Sequence, residues 1–275
     1  ADPDYAELSL AMRTSRHPGA VFDTLLARGQ IRLYPSEAER TRALAQIGAQ
    51  PWAKGFVEPV LVIADIGGYT DYMQFHRSIL GHAEAATSRM LDKVIDAARG
   101  FDLIEIEGDA AFLSRDEEGL DPSATLSAVT SAAVAMHSAF HRERQLVQLN
   151  MCPCGSCKQT GALKLKFVAH VGEVATQTIR RRKKLVGLDV IHVHRMLKNP
   201  IDVPEYLLVT DELRGTASSE LAMQDLALDL EGIGPVRTHF VDVSGLAAPL
   251  QPPSWPQRIG GTLAMVGRGL PYAIG

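Results

Sequence analysis

Cysteines, long apolar runs and excess positive charge are all scarce in this chain. Only three cysteines occur among 275 residues, all within Cys152-Pro-Cys154-Gly-Ser-Cys157. An odd, tightly spaced set is not a disulfide framework, so a reducing compartment and a cytoplasmic location are expected. No stretch approaches the roughly 18 consecutive apolar residues of a spanning helix, so no membrane span is expected. Lys and Arg number 28 against 32 Asp and Glu, a net charge of −4. That balance argues against a general nucleic-acid binder. No internal repeat is visible. What remains is ordinary for a globular protein: 46% hydrophobic and 22% charged residues. The length fits one large domain, or one domain with sizeable extensions, and needs no staples to hold its core.

The hydrophobic pattern changes period along the chain. Residues 1–56 read as a helical extension. Ala20 to Arg28 is one amphipathic candidate, and Ser36 to Gly48 is another, with Ser36 and Glu39 spaced as a capping box. Val60 to Ile66 is nearly all apolar, as in a strand buried on both faces. Gly67-Gly68 then turns the chain, and Thr70 or Asp71 caps a helix expected to reach about Arg99. Phe101 to Ile106 and Ala110 to Leu113 flank Glu107-Gly108-Asp109 as a tight hairpin. Pro122 to Leu149 is a second long helix. A strand from Leu163 to Val174 leads to the basic run Arg180 to Lys184, and Asp189 to Lys198 is a short helix stopped by Pro200. Glu205 to Thr210 is a strand, and Ala227 to Leu230 with Val236 to Val243 forms a hairpin. From Ser244 onward the chain is rich in Pro and Gly, and an irregular tail is expected.

Two of these segments bring an aspartate to the end of an apolar strand beside glycine. Asp65 precedes the turn Gly67-Gly68, and Asp109 follows Gly108. Two carboxylates on neighbouring strands, beside a turn that opens a helix, form a cradle for two divalent metals and a triphosphate. Read alone, each aspartate equally suits the capping of a turn. Cys152, Cys154 and Cys157 supply three soft ligands within six residues. They hold zinc if a fourth ligand, such as a histidine, arrives from elsewhere. His170 on the next strand is one such histidine. Three reduced thiols, or a redox switch, fit the same spacing.

In this order, ADIGGYT (64–70), IEGDAAF (106–112), HVGEV (170–174) and LVGLDVIHVHRML (185–197) resemble the class III nucleotidyl cyclase catalytic domain over residues 57–243. HRMLKNP (194–200) and the cysteine loop resemble a divergent bacterial cyclase-like subfamily. The resemblance implies an α+β fold, an α/β sandwich in the ferredoxin-like style, between the extension 1–56 and the tail 244–275. It implies a head-to-tail homodimer with composite sites between the subunits. The implied activity is conversion of a nucleoside triphosphate, GTP or ATP, to a 3′,5′-cyclic nucleotide and pyrophosphate. Two Mg²⁺ or Mn²⁺ per site and a place in bacterial signalling go with it.

Residue by residue, Asp65 and Asp109 match the family's metal-binding aspartates. The Ile66 carbonyl would add a ligand, and the amides of Gly67, Gly68, Tyr69 and Thr70 would hold phosphates. Arg195 matches the arginine that steadies the pentacovalent phosphate from the second subunit. A guanidinium suits that task because it is always charged and grips oxygens as a fork. Glu105 and Lys184 fall at the base-reading positions. A carboxylate accepts from guanine N1–H and N2–H₂ while an ammonium donates to O6, so GTP is expected over ATP; a pair that never faces a base fits the same two residues equally.

There are also departures. The family's ribose-placing asparagine falls at Ile191, with His192 and His194 as the neighbours able to substitute. Glu231 and Ile233 stand where basic residues would meet the triphosphate. The run Arg180 to Lys184 is either a replacement source of positive charge or a solvated arm. These departures suit a second reading, a catalytically degenerate dimer that binds nucleotide or regulates. A third is a protein-interaction module using the cysteine loop and the extension.

Overall fold

One strand lies inside the sheet with a neighbour on each side, and its sequence explains why. The computed structural model describes residues 56–116, 122–180, 182–215, 222–246 and 249–274. Both helices expected for the extension lie outside them. The chain divides into two compact units, residues 57–230 with 235–275 and residues 1–56 with 231–234. Apart from Phe56, Glu231, Ile233 and Gly234, the residues described below belong to the first.

In chain order the strands are β1 Val60–Gly67, β2 Asp102–Glu107, β3 Ala110–Arg115, β4 Lys164–Val171, β5 Val174–Ile179, β6 Arg182–Val186, β7 Tyr206–Thr210, β8 Gln224–Leu230 and β9 Gly234–Asp242. The helices are α1 Tyr69–Phe75, α2 Leu80–Ala97, α3 Pro122–Gln148, α4 Gly155–Gln159, α5 Leu188–Arg195, α6 Asp211–Arg214 and α7 Trp255–Ile274. Seven strands form one sheet in the order β2-β3-β1-β4-β7-β9-β8. β1 runs antiparallel to both β3 and β4, while β4 and β7 are parallel. β5 and β6 form a hairpin that carries the basic run, in a second sheet of three strands completed by the two-residue strand Phe56–Val57.

With a strand on each side and elements over both faces, β1 has no polar face to offer. Val60, Val62, Ala64 and Ile66 join one core with Met90 and Val94 of α2 and Met136 and Phe140 of α3. The opposite face lies against α5. The edge strand β2 is exposed and carries Asp102, Glu105 and Glu107, the charge that discourages pairing with another sheet.

Three expectations are corrected, the first being the cap: α1 opens from Gly68 with no side-chain cap, and Thr70 and Asp71 lie within the helix. The helix predicted to run unbroken to Arg99 is α1, a 3₁₀ turn at Arg77–Ile79, and then α2. The backbone leaves helical geometry at His76 (φ −101°, ψ 24°), while the Tyr72 hydroxyl fixes α1 by donating to the Ser156 carbonyl, 3.0 Å away. The tail is irregular over residues 249–254, but Trp255–Ile274 forms α7. Ser254 and Gln257 start this helix with one half of a capping box, the bonds that the Gln257 side chain accepts. The Gln257 side chain accepts from the Ser254 amide at 2.7 Å and from its hydroxyl at 3.0 Å. That satisfies donors the first turn cannot. α7 is docked by the Arg89 guanidinium, which donates to the Gly261 carbonyl at 2.9 Å and also binds Glu143 on α3.

Under the sheet, Glu205 is buried between two histidines of α3. It accepts from His141 Nε2 at 2.6 Å and from the Leu165 amide at 3.1 Å, and His137 Nε2 lies 3.4 Å from its other oxygen. Burial would raise its carboxyl, but the contacts to His137, His141 and Leu165 hold it well below the usual carboxylate range. The folded state therefore favours the ionised form. Its stabilisation is present above the ordinary Glu value of about 4.3 and is lost as pH falls below that. Glu205→Gln is expected to cost about 3 kcal/mol at neutral pH. In urea titrations it should also flatten the acid-side fall in stability.

Candidate active site

β1 ends and the β2–β3 hairpin turns at the same place. Asp65 lies in register with Ala110, the residue after Asp109. The Ile66 amide donates to the Asp109 carbonyl at 3.3 Å, which ties strand end to hairpin turn. Both turns need left-handed backbone, with φ of +81° at Gly68 and +65° at Gly108. Glycine reaches that region without the Cβ clash.

The Asp109 carboxyl senses its surroundings. Burial pushes the Asp109 carboxyl up to about 6, the Asp65 charge adds to the rise, and Lys166 opposes it. Lys166 Nζ lies 3.1 Å from Asp65 Oδ2, and both side chains are largely buried. Asp65 and Lys166 are direct partners across β1 and β4, so their side chains share a face. Tyr69 donates to Glu84 at 3.3 Å, and burial and then Glu84 push its phenol up to about 12. Ile66 buries its side chain, and Thr70 is exposed at the start of α1.

The other predicted residues fall as follows. Glu105 on β2 and Lys184 on β6 meet in an exposed ion pair of 3.7 Å. Arg195 is the last residue of α5 and is partly buried. Ile191, one turn earlier, is exposed. Neither neighbouring histidine is poised to replace asparagine. His192 is buried with its ring 4.2 Å from that of His170, and His194 is bonded to Glu107 at 2.8 Å and to the Val190 carbonyl at 2.7 Å. Glu231 and Ile233 lie between β8 and β9.

The three cysteines gather around a histidine, though not His170. His170 bonds Thr210 Oγ1 at 2.9 Å and Asp189 Oδ1 at 3.1 Å. The fourth donor is His82 on α2, and one donor atom from each of His82, Cys152, Cys154 and Cys157 lies within 4.8 Å of the others. Two residues of these sites escaped the sequence reading. The alternation Lys164-Leu165-Lys166-Phe167 could have placed Lys166 on the face of Asp65 once β4 was paired with β1. Nothing local marks His82.

No helix among the described residues is long and apolar enough to cross a membrane. Two solved structures share the architecture. The guanylate cyclase domain of RhGC from Catenaria anguillulae, in complex with GTP, is 16% identical with a TM-score of 0.51, covering 67% of this chain and 96% of that one. The adenylyl cyclase CyaB from P. aeruginosa is 14% identical with a TM-score of 0.51, covering 72% and 98%. These likenesses show the α+β fold of the class III cyclase domain. The family described as "Protein of unknown function (DUF2652)" matches residues 87–206. "Uncharacterized protein Rv2561/Rv2562" of Mycobacterium tuberculosis is 38% identical over 197 residues, covering 68% of this chain and 89% of that protein. The chain belongs to the family of that mycobacterial protein, and its fold is that of the class III cyclase domain.

Proposed function

We propose that this protein is a class III nucleotidyl cyclase that forms a 3′,5′-cyclic nucleotide and pyrophosphate, with GTP preferred over ATP. The observation that carries the reading is the convergence of Asp65 and Asp109 at one end of the sheet, where Asp65 pairs with Ala110 and the Ile66 amide donates to the Asp109 carbonyl at 3.3 Å. Such a pair calls for a cation, so the residues fit divalent metal, with Asp65 and Asp109 as holders of Mg²⁺ or Mn²⁺. Bound there, the two cations would supply activation of the ribose 3′-hydroxyl and relief of charge on the leaving pyrophosphate.

The chain's own groups do the rest. Amides of the turn from Gly67 to Thr70 orient phosphate oxygens. Lys166 neutralises Asp65 until metal arrives. Glu105 and Lys184, already paired at 3.7 Å, turn an acceptor and a donor toward guanine. Arg195 from a second copy of the chain grips the pentacovalent phosphate. Exposed Ile106, Leu188 and Ile191 favour burial of this rim in a head-to-tail dimer.

A second reading, a dimer that binds nucleotide without turnover, is favoured by one specific contact. Lys166 already occupies Asp65 at 3.1 Å, as a built-in cation would. Incubating purified protein with each of the four nucleoside triphosphates plus Mn²⁺, then analysing products, separates the readings. Cyclic GMP in excess over cyclic AMP is expected. Cyclic AMP alone would remove the guanine preference, and nucleotide binding without any cyclic product would leave the second reading standing.

Metal binding should also depend on pH. A carboxyl raised to about 6 holds a proton that Mn²⁺ must displace. Affinity is expected to fall about tenfold per unit as pH drops below 6. Lys166→Met removes the charge that opposes the rise, so calorimetry should show the break at higher pH.

A further inference from the structure

We infer that His82, Cys152, Cys154 and Cys157 form a tetrahedral zinc site, a structural centre separate from the pair Asp65 and Asp109 and independent of any cyclase activity. The four donors come from distant parts of the chain, with His82 on α2 and the cysteines on and before α4. Their donor atoms lie within 4.8 Å of one another. Cys157 Sγ is 3.5 Å from His82 Nε2, and Cys154 Sγ is 3.6 Å from His82 Nδ1. A tetrahedron with Zn–S of about 2.3 Å and Zn–N of about 2.0 Å has S···N edges of about 3.5 Å and S···S edges of about 3.8 Å. The two sulfurs approach opposite nitrogens of the imidazole, so binding commits one nitrogen to the metal and draws donors now within 4.8 Å of one another in to those edges. Three soft donors and one imidazole in a closed set suit Zn²⁺ over Mg²⁺ or Ca²⁺.

The surroundings serve the same end. Zn²⁺ with three thiolates and a neutral imidazole carries one net negative charge, which needs N–H donors nearby. The Cys157 amide donates to Cys154 Sγ at 3.4 Å, and Asn150 Nδ2 donates to Cys157 Sγ at 3.4 Å. The other end of the buried Asn150 side chain accepts from the Cys152 amide at 2.8 Å. One side chain therefore orients two of the three cysteines, the role of a supporting partner at a metal centre. Around the sulfurs pack Ala85 and Ala86 of α2 and Val147 of α3. The metal would clamp the start of α2 to the loop after α3. Binding exchanges three S–H bonds for three Zn–S bonds and releases the protons to solvent.

Elemental analysis of the full chain, purified without chelator, tests this together with a thiol count. About one zinc per chain is expected, and cobalt substitution should give the intense visible bands of a tetrahedral sulfur-rich site. Zinc removal should lower the thermal midpoint, and zinc addition should restore it. In competition with a chromophoric chelator, Asn150→Ala should weaken zinc about 10–100-fold. His82→Ala should weaken it more, and His82→Cys should restore retention by supplying a fourth thiolate. A folded chain with three reactive thiols and no metal overturns the proposal, as does a disulfide among the three. Undiminished zinc affinity in His82→Ala overturns it too, and this readout stands even where cysteine variants fail to fold.

Discussion

Asp65→Asn and Asp109→Asn are each expected to reduce cyclic-nucleotide formation by at least about a hundredfold to a thousandfold, while shifting stability in opposite directions. The loss of activity follows from charge. Asparagine keeps the shape but presents a neutral oxygen where divalent cations need an anion, and electrostatic stabilisation at a reacting phosphate is of this size. The stability changes follow from the metal-free site. A carboxyl raised to about 6 is favoured by folding only when protonated. Its contribution is full below the ordinary Asp value of about 3.9 and is lost as pH rises through 6. At neutral pH the Asp109 charge therefore opposes folding, and Asp109→Asn should raise the thermal midpoint. Asp65→Asn removes the partner of Lys166, 3.1 Å away, and should lower it. Product analysis and calorimetry on the same two samples check the pattern. Full activity in either variant would exclude these aspartates from the chemistry.

Arg195→Ala is expected to be nearly as damaging, and its rescue would report the architecture. A guanidinium delivered to a transferring phosphoryl group contributes about 10³–10⁵ in rate. If Arg195 acts across a two-fold interface, an Arg195→Ala subunit and an Asp65→Asn subunit combine into a dimer with one doubly damaged site and one intact site. Random re-pairing of equal amounts gives mixed dimers half the time, so about a quarter of the original activity should return. Two inactive samples that stay inactive after exchange, with mixed dimers demonstrated by mass, would show that Arg195 serves its own subunit or none.

Much of the fold was legible because its signals are local. The unbroken apolar run from Val60 to Ile66 announces an interior strand. Gly108 between two apolar segments announces the hairpin. Both aspartates could be named as candidates because each sits one step from such a signal. Lys166 could not, because its importance depends on the pairing of β4 with β1, a contact made across a hundred residues. His82 was hidden for the same reason, some seventy residues before the cysteines it joins. The long first helix was misread because apolar spacing continues through His76, where the backbone turns away. The last helix was misread because Gly260, Gly261 and Gly267 resemble loop, although Ser254 and Gln257 carry the cap.

That last helix has a practical consequence for anyone cutting the gene. A recombinant boundary drawn after Asp242, where the final strand stops, looks natural on sheet topology alone. It would delete the acceptor that Gly261 offers to Arg89, the hydroxyl of Thr262 that receives the Met151 amide at 2.9 Å, and the donor that Arg258 extends to Leu149 at 2.6 Å. Two of those three contacts flank the cysteine segment, so the trimmed product would leave the chain beside the sulfurs without its outer wall.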